Sequence, residues 1–180
     1  MSTASSLLVV CMVWSVSVVA ADRVRGPALG QPVSEQWVAA RNSSIFPDGR
    51  GLPEGRGTAN GGRPIYEQKC ASCHGKRGEG GSGGHLVGPG PLTGEDADKT
   101  VGSYWPFATT IFDFTRRSMP MAEPGSLSAD ETYALTAYLL HLNGIVAADE
   151  ELNATALPRV KMPNRDGFAW IDVPQPGRRK

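Results

Sequence analysis

Cysteine is nearly absent from this sequence. Three of its 180 residues are cysteine, and Cys11 falls in the apolar leader, so only Cys70 and Cys73 remain for the rest of the chain. Such a pair builds no disulfide framework, and the fold must be held by packing or by whatever the pair attaches. An excess of one charge is also missing. The 18 basic residues balance the 18 acidic ones, which speaks against a nucleic-acid or strongly membrane-seeking surface. A long hydrophobic run is absent too. The apolar stretch within Met1–Ala21, from Leu7 through Trp14 to Val19, is too short for a comfortable membrane span and reads as an export signal cleaved near Ala20 or Ala21. No Lys or Arg precedes it, a departure that keeps an uncleaved anchor as the competing reading, although no stable membrane insertion is expected. Finally, there is no nucleophile–base pair, carboxylate dyad or second cysteine pair, which argues against catalysis by this chain alone and against a zinc site.

What is present is Cys70-Ala71-Ser72-Cys73-His74, the attachment signature of a c-type haem. In a helical turn residues three apart share a face, so both sulfurs can form thioethers to one haem while His74 reaches the iron. One motif implies one covalently attached haem c. Thioether attachment is ordinarily completed outside the bacterial cytoplasm, which agrees with export and makes the periplasm the expected compartment.

Residues 22–61 are rich in Gly and Pro and form an extended N-terminal arm. It has one short helix around Gln31–Ala40, with Ser34 as cap and Trp37 as anchor, and lies on the domain, on a partner, or as a linker. The compact domain is expected over residues 62–144, with Pro64 opening a helix that carries Ile65, Tyr66, Lys69 and Cys70 into the motif. A glycine-rich loop follows from Gly75 to Gly90. Its G-x-G-x-x-G at Gly78, Gly80 and Gly83 lacks a preceding strand and is read as backbone passing close to a haem edge, not as a nucleotide site. Pro106 fits the first turn of a second helix, in which Phe107, Ile111 and Phe114 recur at i, i+4 and i+7, and Arg116 and Arg117 suit its last turn. The last helix is the clearest. Ser128 and Glu131 make a capping box, Leu135, Tyr138, Leu139 and Leu142 line one face, and Asn143-Gly144 ends it. It is expected to pack on the first helix, with Tyr138 near Gly62 and Tyr66. Residues 145–180 form a C-terminal extension whose Val160, Met162, Phe168 and Trp170 need cover, either on the domain or on another subunit.

The haem ligand set follows from these elements. Met119, directly before Pro120, is the expected sixth ligand, because a thioether opposite His raises the potential and closes the iron to other ligands. Met121 is the rival, and Met162 lies beyond the closing helix. The His74 ring N–H needs a carbonyl, and the rigid turn at Pro89 and Pro91 offers two candidates. Tyr104 and Trp105, apolar bodies with polar tips, are candidates to close the haem crevice and bind a propionate, with plain packing as the alternative. His85 and His141 read as ordinary surface or crevice residues.

Taken together, residues 62–144 resemble class I c-type cytochromes, an all-α fold of small helices around one haem. A narrower likeness extends over most of the mature chain. Pro47–Pro53, Thr100–Thr110, Pro124–Ser128 and Met162–Phe168 resemble the cytochrome subunit of bacterial sulfane or sulfite dehydrogenases of the Sox sulfur-oxidation type. The resemblance implies a molybdenum-cofactor dehydrogenase subunit as electron donor and another periplasmic cytochrome as acceptor. Longer relatives carry a second haem domain, whereas this chain has one motif. Two other functions compete: an electron acceptor for a quinoprotein alcohol dehydrogenase, and a haem enzyme or gas sensor with an open iron.

Overall fold

The computed structural model describes residues 29–88, 92–93 and 97–169. Among them the order is α1 (Glu35–Arg41), β1 (Arg56–Gly57), α2 (Ala59–Lys69), α3 (Ala71–His74), α4 (Ala108–Ser118), α5 (Ala129–Leu142), β2 (Leu152–Asn153) and a 3₁₀ turn at Leu157–Arg159. The fold is therefore helical, with a two-residue antiparallel ribbon pairing Arg56 with Asn153 and Gly57 with Leu152. Residues up to Ala39 and residues from Ala40 onward form separate units. In the first, Ser34 caps the short helix as expected, its Oγ accepting from Trp37 N at 3.1 Å. The export signal and Trp170 lie outside the described residues.

In the second unit α5 is the central element, and its capping box forms in both directions. Ser128 Oγ accepts from Glu131 N at 3.2 Å and a Glu131 carboxylate oxygen accepts from Ser128 N at 2.9 Å, which satisfies two of the donors that a helix start leaves open. The Ser128 N–H and then Lys69, whose Nζ lies 3.0 Å away, hold the Glu131 carboxyl below its ordinary range. Residues 132–140 of α5 are all buried, because α2, α4 and both ends of the unit pack around it.

The first helix differs from expectation. It starts at Ala59, with Thr58 Oγ1 accepting from Gly61 N at 3.2 Å, so Pro64 lies inside the helix and not at its start. The two glycines before it read as a boundary, yet they belong to the helix for a steric reason. A Cβ on Gly62 would stand 2.0 Å from Ala134 O and 2.9 Å from Tyr138 Cβ, and one on Gly57 would stand 2.3 Å from Ala134 N. Only glycine lets α2 and β1 press this closely on α5. The expected meeting of Tyr138 with Gly62 and Tyr66 occurs, the two tyrosine rings lying 5.2 Å apart.

α4 is also shifted. Phe107 is its N-cap, so Pro106 precedes the first turn. The buried stripe is Ala108, Ile111, Phe112 and Thr115, at i, i+3, i+4 and i+7, while Phe114 is 51% exposed. Phe112 reaches the Tyr133 ring at 4.5 Å, and that contact sets the phase of the helix. Arg116 and Arg117 do occupy the last turn, and Arg117 pairs with Asp113 one turn back.

Both extensions lie on the domain through part of their length. Ile45 and Leu52 pack against the core, and Pro53 O accepts from Tyr133 Oη at 2.9 Å. On the other side Leu152, Leu157 and Met162 are buried in it, each side chain contributing on the order of 1.5–3 kcal/mol by removal from water. Asn164 Nδ2 then donates to Tyr104 O at 2.7 Å, Phe168 packs edge-on to Tyr104, and the Arg165 guanidinium lies 4.2 Å over Phe107.

Burial also fixes an alkaline limit. Tyr66 and Tyr133 are fully buried and burial pushes each phenol up to about 12, against roughly 10 for a free phenol. The folded state thus favours the neutral form. Stability is complete below about pH 10 and is lost as pH rises through about 12. Near-UV circular dichroism is expected to collapse over that interval together with the rise in tyrosinate absorbance; tyrosinate forming at the free-phenol pH in a protein with native dichroism would contradict this.

Candidate haem-binding site

The attachment motif is placed by α2 and α3. Cys70 ends α2 and begins α3, and its N–H bonds to Tyr66 O at 2.9 Å. One helical turn then carries Cys73 and His74, whose N–H groups both return to Cys70 O, at 3.1 and 3.0 Å. Cys70 is partly buried and Cys73 exposed, and neither is in a disulfide. Burial raises the Cys70 thiol above its ordinary value. Gly75, at φ +81°, ends the turn, and its carbonyl accepts from Tyr66 Oη at 2.8 Å, tying the end of the motif back to α2.

The glycine loop closes on this turn. Gly80 N donates to His74 O and Gly83 N to Cys73 O, each at 2.8 Å. A Cβ on Gly81 would stand 2.7 Å from Cys73 O, and one on Gly83 would stand 2.8 Å from His74 Cε1 and 2.9 Å from its Nδ1. The glycines therefore permit close approach to the motif's own backbone and to the His74 ring.

His74 Nδ1 lies 2.8 Å from Gly84 O. A carbonyl only accepts, so Nδ1 carries the proton, and in the neutral ring that leaves the lone pair on Nε2, the tautomer in which a histidine can bind iron. This is the test of fit for a haem, and the chain passes it: two free sulfurs one helical turn apart, beside an imidazole whose tautomer is already set for ligation. Pro89 and Pro91, the expected carbonyl donors, lie outside the described residues, and in this structure the carbonyl facing the ring comes from the glycine loop. Nothing in the sequence pointed to it, because every residue carries a carbonyl and Gly84 is distinguished only by position.

Met119 is the C-cap of α4, its N–H bonded to Thr115 O at 3.1 Å. Its side chain is partly buried, whereas Met121 is 79% exposed and Met162 is buried in the core. Trp105 packs against the core, with the Tyr104 ring edge-on at 5.1 Å. His141 Nδ1 is taken by Val146 O at 3.1 Å. His85 Nδ1 sits 2.7 Å from Asp98 Oδ2, a pairing the sequence reading did not anticipate. Among the described residues no group of three or more His, Cys, Asp or Glu could hold a metal ion, and no helix is long and apolar enough to cross a membrane.

Comparison with known proteins points to a cytochrome c domain. The family described as cytochrome c oxidase, cbb3-type, subunit III matches residues 57–139. A thiosulfate dehydrogenase of Stutzerimonas stutzeri (strain A1501) is 36% identical over 88 residues, covering 48% of this chain and 28% of that protein. A thiosulfate dehydrogenase of Psychrobacter arcticus is 26% identical over 111 residues, covering 59% and 34%. The chain thus spans about a third or less of these curated relatives. The crystal structure of the sulfane dehydrogenase SoxCD from Paracoccus pantotrophus superposes with a TM-score of 0.74 at 39% identity, over 84% of this chain and 75% of that one. With a ligation-ready histidine between two free sulfurs and a glycine loop, and with that degree of likeness, the chain belongs to the class I c-type cytochromes and resembles the cytochrome subunit of Sox-type sulfane dehydrogenases.

Proposed function

We propose that this chain is a periplasmic monohaem cytochrome that takes electrons one at a time from a molybdenum-cofactor subunit oxidising a sulfur compound, sulfite or a sulfane, and passes them to another periplasmic cytochrome. The observation that carries the reading is the His74 ring, held through Nδ1 by Gly84 O at 2.8 Å so that Nε2 is free for iron. When bound, haem supplies one-electron cycling of its iron. The chain supplies the rest. Cys70 and Cys73 would hold the group through thioethers, His74 and Met119 would supply nitrogen and sulfur to its iron, and Tyr104 and Trp105 would line the crevice with polar tips available to a propionate. With both protein ligands in place no position would be left for a substrate, which suits electron transfer and leaves substrate oxidation to the partner.

The test is purification from the native host after export. One haem per chain, resistant to acid extraction, is expected, together with a molybdenum protein in the same complex and haem reduction on adding sulfite or thiosulfate. Thiosulfate belongs in the assay because two relatives are thiosulfate dehydrogenases. A chain that purifies alone and is reduced by no such enzyme would end the subunit assignment. Reduction by a quinoprotein alcohol dehydrogenase would transfer the assignment to the competing pathway.

A further inference from the structure

His74 is oriented by a carbonyl on an exposed glycine loop, and such a loop needs something to hold it. Gly84 itself has no side chain, and a Cβ placed on it would meet nothing within 4 Å. The next residue does have a hold. His85 Nδ1 donates to Asp98 Oδ2 at 2.7 Å; a carboxylate only accepts, so the bond forms whether the imidazole is neutral or charged. The His85 ring also lies against Gly80, where a Cβ would fall 2.0 Å from His85 Cδ2, and Gly80 is the residue whose N–H binds His74 O.

Asp98 is firmly seated in turn. Its backbone carbonyl accepts from Ser103 Oγ at 2.9 Å, Ser103 Oγ lies 2.9 Å from Thr100 Oγ1, and Thr100 Oγ1 donates to Gly88 O at 3.3 Å. Thr100 and Val101 are buried, and Val101 N binds Leu86 O at 3.1 Å. The pair therefore joins the loop carrying Gly84 to an anchored segment. At 49% and 53% side-chain exposure it contributes little to global stability, so its use is local.

The geometry points to His85 and Asp98 as positioning residues that keep the Gly84 carbonyl on His74 Nδ1 and so set the basicity of the proximal ligand. This rests on the reading of His74 as an iron ligand. A ring N–H held by a good acceptor makes the imidazole a stronger donor and favours oxidised iron. Losing the hold weakens that donation and raises the reduction potential.

The experiment uses the holoprotein. His85→Ala and Asp98→Ala are expected both to raise the potential and to speed exchange of the His74 Nδ1 proton, followed by NMR, since each removes the hold on the acceptor carbonyl. The double variant should shift no further than either single one, since the two residues act as one unit. Asp98→Asn, which keeps an acceptor oxygen, should stay near the parent. Parent-like potential and proton exchange in both His85→Ala and Asp98→Ala would overturn the inference. A haem spectrum that survives His74→Ala would instead remove the ligand assignment beneath it.

Discussion

Gly62→Ala is expected to destabilise the protein by about 3 kcal/mol, the upper part of the range for overpacking a close contact. The added carbon would stand 2.0 Å from the Ala134 carbonyl oxygen and 2.5 Å from its carbon. These are backbone atoms of the central helix, held on both sides by packed neighbours, and no rotamer change can move them aside. For a chain of this length the loss corresponds to a fall of roughly 6–12 °C in melting temperature. Gly61→Ala is the control. Its Cβ would make only ordinary contacts, 3.7 Å from Thr58 Oγ1 and 3.9 Å from Ala134 Cβ, and alanine in a helix gains about 0.5–1 kcal/mol over glycine. Neighbouring positions in one helix should thus move in opposite directions in urea melts. Equal effects would show that the α2–α5 crossing is looser than described.

Met119→Ala is expected to open the iron, so that carbon monoxide and cyanide bind rapidly and the reduction potential falls, since the thioether that raises it is gone. Met121→Ala should change neither. The contrast comes from how the two residues are held. Met119 closes α4, whose Ile111, Phe112 and Thr115 are buried against α5, so its side chain starts from a fixed point. Met121 lies two residues on, in a turn, with 79% of its surface in solvent. Ligand binding to the parent protein at the rate of the Met119 variant would favour an open-iron enzyme or sensor, and opening only by Met121→Ala would exchange the two assignments.

The parts of the fold legible in the sequence were those in which one residue type has one strong local preference. Ser128 and Glu131 announce a helix start because their side chains fit only that geometry, and the Cys-x-x-Cys-His spacing is set by one helical turn. The parts that were not legible depend on distant partners. Gly61 and Gly62 resemble a break until Ala134 is known to pass beside them. In α4 the aromatic residues suggest one stripe, but Ala108 and Thr115 are on the buried face and Phe114 is not; two small residues concealed the true phase. Leu152 and Leu157 enter the core singly from an irregular segment, so no periodicity marks them, whereas Met162 stood out as an apolar residue in need of cover. At the site, the cysteines and histidines were visible as residue types, whereas the Gly84 carbonyl and the His85–Asp98 pair are facts of loop geometry.

The short ribbon between β1 and β2 has a kinetic consequence. It joins residues roughly 100 positions apart, and closing a loop of that size costs on the order of 4 kcal/mol of chain entropy. Cys70, the glycine loop, Met119 and α5 all lie inside the closed circuit. The helices can flicker into shape in microseconds, but the circuit cannot close until its far ends find one another. Folding should therefore run at the slower pace of proteins dominated by contacts distant in sequence, and the two attachment sulfurs remain reachable on an open chain for as long as that search lasts.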